Sequence, residues 1–491
     1  MFSYLSKRLM HAINNISYLN IFENEKIHND IDIIRNNISN RPVNLIVTIS
    51  GIISALVTIL SITISMIFIS VYLPLLALIL GIVIFYTSSK SQSELWSGTL
   101  IRNFQSRMMN YIFGLTVDRT AMQEIRIYNA DQFLEEKFLT MHSNAKRIMN
   151  KVRLKIAYLF LFSGLSMIII SSLMAFNVLY LAVYGAISAS SLVFLLQGIQ
   201  NIQLSTRSVS EQLGWLSGHL LFFEKYFEYT APKIAIESKN ERYSDDNDRI
   251  YSISLKNCSF SYGDKIIINN INLELKENDI VSIVGKNGAG KTTLARILMG
   301  LIKPTSGELL INNIPVEEYG IKKYWEKCSF VPQLFAQFKF TLHESIFMGK
   351  EYNTNNSIIN RDFFTEGLPT KDSQLGKEFS GTDLSGGQWQ KIAIMRAIFN
   401  NENTDMLFFD EPTSAIDPLV EEEVYNLIEE ISKNKIAVYI THRMSTVTHA
   451  NRIILLNDNH IVADGKHEDL YSTNTLYRKM FDAQAKRFMT A

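Results

Sequence analysis

The sequence has no net charge: 48 lysines and arginines offset 48 aspartates and glutamates. A global basic field of the kind that nucleic-acid binding favours is therefore missing. Cysteine is nearly absent too. Cys258 and Cys328 share no metal-ligand spacing, which excludes a disulfide framework or zinc site and reads as free cytosolic thiols. The opening residues, MFSYLSKRLMHAINN, contain no apolar stretch long enough for a cleavable signal.

The informative absence is local. No charged residue occurs between Arg41 and Lys90, and none between Lys155 and Arg207. Each gap exceeds the ~20 residues that cross ~30 Å of hydrocarbon, and each is long enough to cross twice. Two membrane hairpins follow, with turns expected near 70–74 and 176–178 and four spans at 43–67, 73–86, 156–175 and 179–199. Lys7, Arg8, Lys26, Arg35 and Arg41 precede the first hairpin, and eleven basic residues from Lys90 to Lys155 separate the two. The turns carry none, so the positive-inside bias puts both termini in the cytoplasm. With no charge inside the spans, nothing marks an ion or proton path.

Residues 88–155 read as long amphipathic helix extending the spans into the cytosol. A polar stretch, 237–249, reads as a solvated linker. From Ile250 the pattern changes to short apolar runs alternating with helices. DIVSIVG, TDMLFFDE and KIAVYITH read as buried strands of an α/β sheet, whose ligand sits at the carboxyl edge. No internal repeat appears. The expected domains are 1–229 transmembrane with cytoplasmic helical loops, 230–249 linker, and 250–491 soluble α/β.

After the first of these strands comes GKNGAGKTT, comprising Gly285, Lys286, Asn287, Gly288, Ala289, Gly290, Lys291, Thr292 and Thr293, followed by a helix. This is the G-x-x-x-x-G-K-T phosphate cradle in its required strand–loop–helix context. Glycines let backbone N–H groups converge on phosphates, Lys291 reaches the β/γ oxygens, and Thr292 supplies an oxygen to Mg²⁺. The strand MLFF delivers Asp410 and Glu411. Asp410 suits a Mg²⁺ contact, while Glu411 suits activation of the attacking water. His442, at a strand end, suits a hydrogen bond to the γ-phosphate. Gln333 can accept from water and bind Mg²⁺ through its carbonyl. A second anion-ready element is LSGGQ, where Ser385, Gly386, Gly387 and Gln388 open a helix.

In this order, GKNGAGKTT, VPQ, LSGGQ, MLFFDEPTSAID and ITH resemble the nucleotide-binding domain of ABC transporters. The membrane segments ahead make the whole resemble an ABC exporter half-transporter. The resemblance implies that the cradle of one subunit and the LSGGQ of another enclose one ATP, that Tyr262 stacks on adenine, and that Asp417 communicates across the interface. It implies a homodimer, or a heterodimer with another half-transporter, in the cytoplasmic membrane, with the ATPase domain and its helical subdomain in the cytosol. Helices near Ile21–Asp32 and Arg119–Ala130 would carry the nucleotide-driven motion to the spans. Exporters of this type resemble a six-span pattern; the four here lack its first two spans, through truncation, a partner's helices or a reduced domain. Trp389 stands where an arginine is more common, and the expected effect is on packing. The expected function is ATP-driven export of a peptide, lipid or amphiphile, a peptide being favoured by resemblance to lantibiotic-type exporters. The alternative is a membrane-anchored sensor or regulator without cargo. An ABC ATPase acting on ribosomes or DNA is disfavoured.

Overall fold

The structure, a computed structural model, describes residues 1–16, 18–19, 25–184, 188–231, 249–350, 366–399, 404–413, 416, 418–441, 447 and 449–489. Its contacts divide into two compact units: residues 1–10 with 29–230, and residues 11–28 with 231–491. The elements of the helical part are α1 (Phe2–Asn14), α2 (Glu25–Asn37), α3 (Arg41–Ile67), α4 (Tyr72–Val117), α5 (Arg119–Ile127), α6 (Asp131–Val183) and α7 (Ala189–Thr230).

Among the described residues, three helical stretches are long and apolar enough to cross a membrane: Arg41–Ile67, Tyr72–Ser91 and Asp131–Val183. Helix α3 starts with Pro42 in its first turn, where the missing N–H costs nothing. Its polar side chains turn inward on the helix: the Thr58, Ser61 and Ser65 hydroxyls donate to the carbonyls of Ser54, Val57 and Ser61. Polar groups in hydrocarbon need such internal partners. Leu60 is 63 % and Val57 58 % exposed, an uncovered apolar face suited to lipid or another chain. A glycine lets α7 approach α3 closely, since a Cβ on Gly198 would lie 2.9 Å from Met66.

The first hairpin turns at 68–71, close to expectation. The second does not turn at 176–178. Helix α6 continues to Val183 because Asn177 accepts a hydrogen bond from the Ser70 hydroxyl at 3.4 Å and Val178 is fully buried. The polar residue read as a break is satisfied inside the helix. Of the fourth span expected at 179–199, residues 179–183 belong to α6 and 189–199 to α7, while 185–187 lie outside the described residues; among the described residues the candidate spans number three. The expected linker lies largely in 232–248, outside the described residues.

The second unit contains β1 (Ser252–Tyr262), β2 (Lys265–Lys276), β3 (Ile280–Gly285), α8 (Lys291–Leu298), β4 (Ser306–Ile311), β5 (Ile314–Pro315), α9 (Val316–Tyr319), α10 (Ile321–Glu326), β6 (Cys328–Val331) and α11 (Leu342–Phe347). It continues with α12 (Gly386–Phe399), β7 (Met406–Asp410), α13 (Pro418–Ile431), β8 (Ile436–Ile440), β9 (Arg452–Asn457), β10 (His460–Gly465), α14 (His467–Thr473) and α15 (Thr475–Met489). One sheet runs β2-β1-β4-β5, and the other β10-β9-β3-β8-β7-β6. In the latter β6, β7, β8, β3 and β9 pair in parallel, and every residue of β7 and β8 is buried. Parallel strands covered on both faces carry such unbroken apolar runs. Cys258 and Cys328 are not joined in a disulfide, and burial raises both thiols, Cys258 to about 11.

Residues 11–28 join this unit through named contacts. The Leu19 N–H donates to the Leu301 carbonyl at 2.8 Å, the Tyr18 hydroxyl to Glu317 at 3.2 Å, and the Lys303 ammonium sits 5.5 Å above the Tyr18 ring. Residues 20–24 lie outside the described residues. Helix α5 forms within the second expected loop helix, its start fixed by Asp118, which accepts from the N–H groups of Thr120 and Ala121.

Trp389 is 4 % exposed, in a core with Phe347, Ile392 and Leu407. Trp389→Ala should cost about 3–5 kcal/mol through the cavity it leaves. Thermal unfolding of the full chain checks this, and an unshifted midpoint would rule out the packing role.

Candidate functional site

The carboxyl ends of β3, β7 and β8 lie side by side, with Asp410 in register with Ile440 and Ile283 in register with Ile440 on the other side. The cradle leaves β3 at Gly285. A Cβ there would sit 2.2 Å from the Leu456 carbonyl oxygen of β9, so only glycine fits this close approach. Gly285→Ala should therefore destabilise the unit by about 3 kcal/mol and weaken nucleotide binding. Thermal unfolding with and without ATP measures both, and a variant indistinguishable from wild type would refute the close approach.

Gly290 adopts a left-handed conformation (φ 98°) at the N-cap of α8 and offers no side-chain cap. The first N–H groups of α8 therefore lack a capping side chain, the condition under which a helix N-terminus receives an anion. A Cβ on Gly288 would meet no heavy atom within 4 Å. Lys286 and Asn287 are exposed, Ala289 is buried, and Thr292 and Thr293 are half-buried.

Lys291 is 6 % exposed, and its ammonium donates to the carbonyls of Gly285 and Lys286 at 3.0 Å each. Burial lowers its pKa, opposed by the charges of Glu411 and Asp410. Asp410 is 3 % exposed. Burial pushes its carboxyl up to about 6; the Thr292 hydroxyl, bonded to it, pulls the other way, Glu411 raises it further, and Arg296 and Lys291 oppose. A buried carboxylate beside a hydroxyl is a hard-oxygen pair, the donor chemistry that Mg²⁺ prefers.

Glu411 has φ 50°, a conformation that non-glycine residues adopt rarely and mostly where structure demands it. Its N–H donates to the Ile440 carbonyl at 3.0 Å, and its carboxylate accepts from the Gln333 amide at 3.0 Å. Two residues 78 apart in sequence thus meet at the site. The sequence reading missed Gln390, which is 1 % exposed and donates to the Glu411 carbonyl at 3.4 Å. A glutamine amid the apolar residues of α12 was the available signal.

LSGGQ forms the start of α12. The Ser385 N–H donates to the Gln388 side chain at 2.7 Å, and the Gln388 N–H donates to the Ser385 hydroxyl oxygen at 3.3 Å. This reciprocal capping box satisfies two end groups at once. It uses a lone pair of the Ser385 oxygen and keeps the hydroxyl proton available for donation. Gln388 also donates to the Gly367 carbonyl. Where a Cβ on Gly386 would sit, no heavy atom lies within 4 Å.

Tyr262 ends β1, with its ring edge-on to Phe260 at 4.8 Å between centroids. It borders a cavity of about 320 Å³ lined also by Ser261, Gly263, Lys303, Pro304 and Thr305. Asp417 and His442 lie outside the described residues.

Residues 268–414 match the ABC transporter family model. The subtilin transport ATP-binding protein SpaT of Bacillus subtilis is 29 % identical over 98 % of this chain and 79 % of its own length. The nisin transport ATP-binding protein NisT of Lactococcus lactis subsp. lactis is 26 % identical over 97 % and 81 %. An ATP-dependent lipid A-core flippase of Francisella tularensis is 28 % identical over 78 % and 64 %. In fold, the chain matches a bacterial Atm1-family ABC exporter with ATP bound, at a TM-score of 0.76 and 21 % identity, over 99 % of this chain and 85 % of the other.

Proposed function

We propose that this chain, whose residues 268–414 match the ABC transporter family model, is an ABC exporter half-transporter, a membrane-spanning domain fused to an ABC-type ATPase domain, and that two copies pair around ATP to drive a peptide outward across the cytoplasmic membrane. The observation that carries the proposal is the convergence of Lys291, Thr292, Asp410, Glu411 and Gln333 at one sheet edge in a chain whose helices include three of spanning length. Relatives covering nearly the whole chain are named for subtilin and nisin transport, which favours a peptide over a lipid and disfavours a regulator without cargo. The ATPase domain and both termini belong in the cytosol on this reading.

The chemistry is positioning and charge neutralisation. The cradle's N–H groups and Lys291 hold the β- and γ-phosphates. Thr292, Asp410 and the Gln333 carbonyl would hold Mg²⁺, which supplies neutralisation of phosphate charge. Glu411 orients and deprotonates the attacking water, and Gln333 fixes its carboxylate. His442 and Asp417 act at the γ-phosphate and across the interface, and Tyr262 receives the adenine. Ser385, Gly386, Gly387 and Gln388 present the α12 N-terminus and one hydroxyl proton to the γ-phosphate of the partner's ATP.

The test is transport. Proteoliposomes containing the full chain should accumulate a lantibiotic-type peptide in an ATP-dependent manner, and peptide should stimulate hydrolysis. ATP hydrolysis that no peptide alters, with no peptide movement, would refute the cargo assignment.

A further inference from the structure

The polypeptide passes between its two compact units after residues 10, 28 and 230. Near all three points, side chains within the helical unit tie to the end of α7. The Tyr226 hydroxyl donates to the Leu5 carbonyl at 3.1 Å. Asp30, two residues past the second crossing, accepts the Lys225 ammonium on one carboxylate oxygen and the Tyr229 hydroxyl at 3.2 Å on the other. Lys225 and Tyr229 are one helical turn apart on the same face of α7, just before the third crossing.

Asp30 is 3 % exposed and Tyr226 is fully buried. A carboxylate so far from water is tolerable only when paired and hydrogen-bonded on both oxygens, so α2 and α7 cannot separate here without stranding a charge. Burial and then Asp30 itself push the Tyr229 hydroxyl up to about 12, which keeps its proton in place for donation.

We propose that Asp30 is a positioning residue of the transport cycle: held by Lys225 and Tyr229, it makes α2 and the end of α7 move as one body, so that displacement of the ATPase unit reaches α3 and α7 together. Residues 11–28 follow the ATPase unit through Tyr18 and Leu19. Helix α2 carries that displacement to Asp30, and α3 follows it in sequence. Without the Asp30 tie, α2 would move alone.

The proposal rests on the ATP-driven reading above, and its test separates the two. The full chain in lipid nanodiscs is compared by amide hydrogen exchange without nucleotide and with ATP plus orthovanadate. Wild type should gain protection in the cradle and α8 and show changed exchange in α3 and α7. Asp30→Asn should keep the cradle response and hydrolyse ATP within about twofold of wild type, while the α3 and α7 change falls at least ~3-fold. The charge-exchanged pair, Asp30→Lys with Lys225→Asp, should recover most of it. A full α3 and α7 response in Asp30→Asn, or no recovery in the exchanged pair, would overturn the proposal. Tyr229→Phe keeps the ring and drops only the hydroxyl bond, so it stands in if Asp30→Asn fails to fold: a partial loss is expected, and an unchanged response overturns the proposal. No cradle response in wild type would instead sink the ATP-driven reading.

Discussion

Mixing Lys291→Met chains with Gly386→Asp chains is expected to restore ATP hydrolysis that neither chain shows alone. Each substitution is chosen to spare the fold. Met nearly matches the volume of the buried Lys291 side chain, and the burial that lowers the lysine's pKa means that its removal relieves a desolvation cost. At Gly386 the space for a Cβ is open, and an aspartate in the first turn of α12 suits the helix dipole. Its charge, however, faces the phosphate that this helix end is proposed to meet. Either lesion removes a group that stabilises phosphate charge, and each pure variant should lose about 10²–10³-fold in rate.

In a mixed pair, both lesions fall on one nucleotide and the other site is intact. Random pairing makes about half of the dimers mixed, each with one working site of two, so about a quarter of the wild-type rate should return. Two-chain sites alone give this result. If every ATP were served by cradle and LSGGQ of one chain, no mixture of two inactive chains could recover. Steady-state hydrolysis after co-reconstitution decides the matter, with continued inactivity of the mixture as the adverse outcome.

The parts of this site visible in the sequence were those with a fixed local pattern. The cradle follows a buried strand and opens a helix, and Asp410 and Glu411 end an apolar run of strand length; spacing and period are enough to find both. The left-handed backbone at Glu411 and its bond to Gln333 depend on the pairing of β6, β7 and β8, which no local window contains. LSGGQ contained a capping box in plain view, as serine followed three residues later by glutamine. The second hairpin turn was misplaced because asparagine is a turn signal only when its side chain lacks a partner, and Ser70 supplies one from a distant helix end. That Leu301 and Glu317 receive Leu19 and Tyr18 likewise lies beyond any local window of the sequence. The burial of Asp30 appears only once α7 is folded against it.

Glu411→Gln should stop hydrolysis while leaving ATP binding and pairing intact. The substitution is nearly isosteric and retains an oxygen to accept the Gln333 amide, which now meets the Glu411 carboxylate at 3.0 Å. The left-handed turn is held by the backbone bond to Ile440, which the side chain does not touch. What is lost is a base within reach of the attacking water, and a general base contributes about 10²–10⁴-fold. Chemistry therefore fails by that factor while the phosphate contacts of Lys291 and the cradle persist. Because separation of the two chains follows hydrolysis on this mechanism, the variant should accumulate as an ATP-bound pair. Size-exclusion chromatography with ATP should show association that outlasts that of wild type, and the same sample should retain unhydrolysed ATP. His442→Ala, assayed alongside, addresses the other proposed hydrolytic residue. If Glu411→Gln turned over within a fewfold of wild type while His442→Ala did not, the base would be the histidine, and the Gln333–Glu411 contact would be a strand-end feature with no part in the reaction.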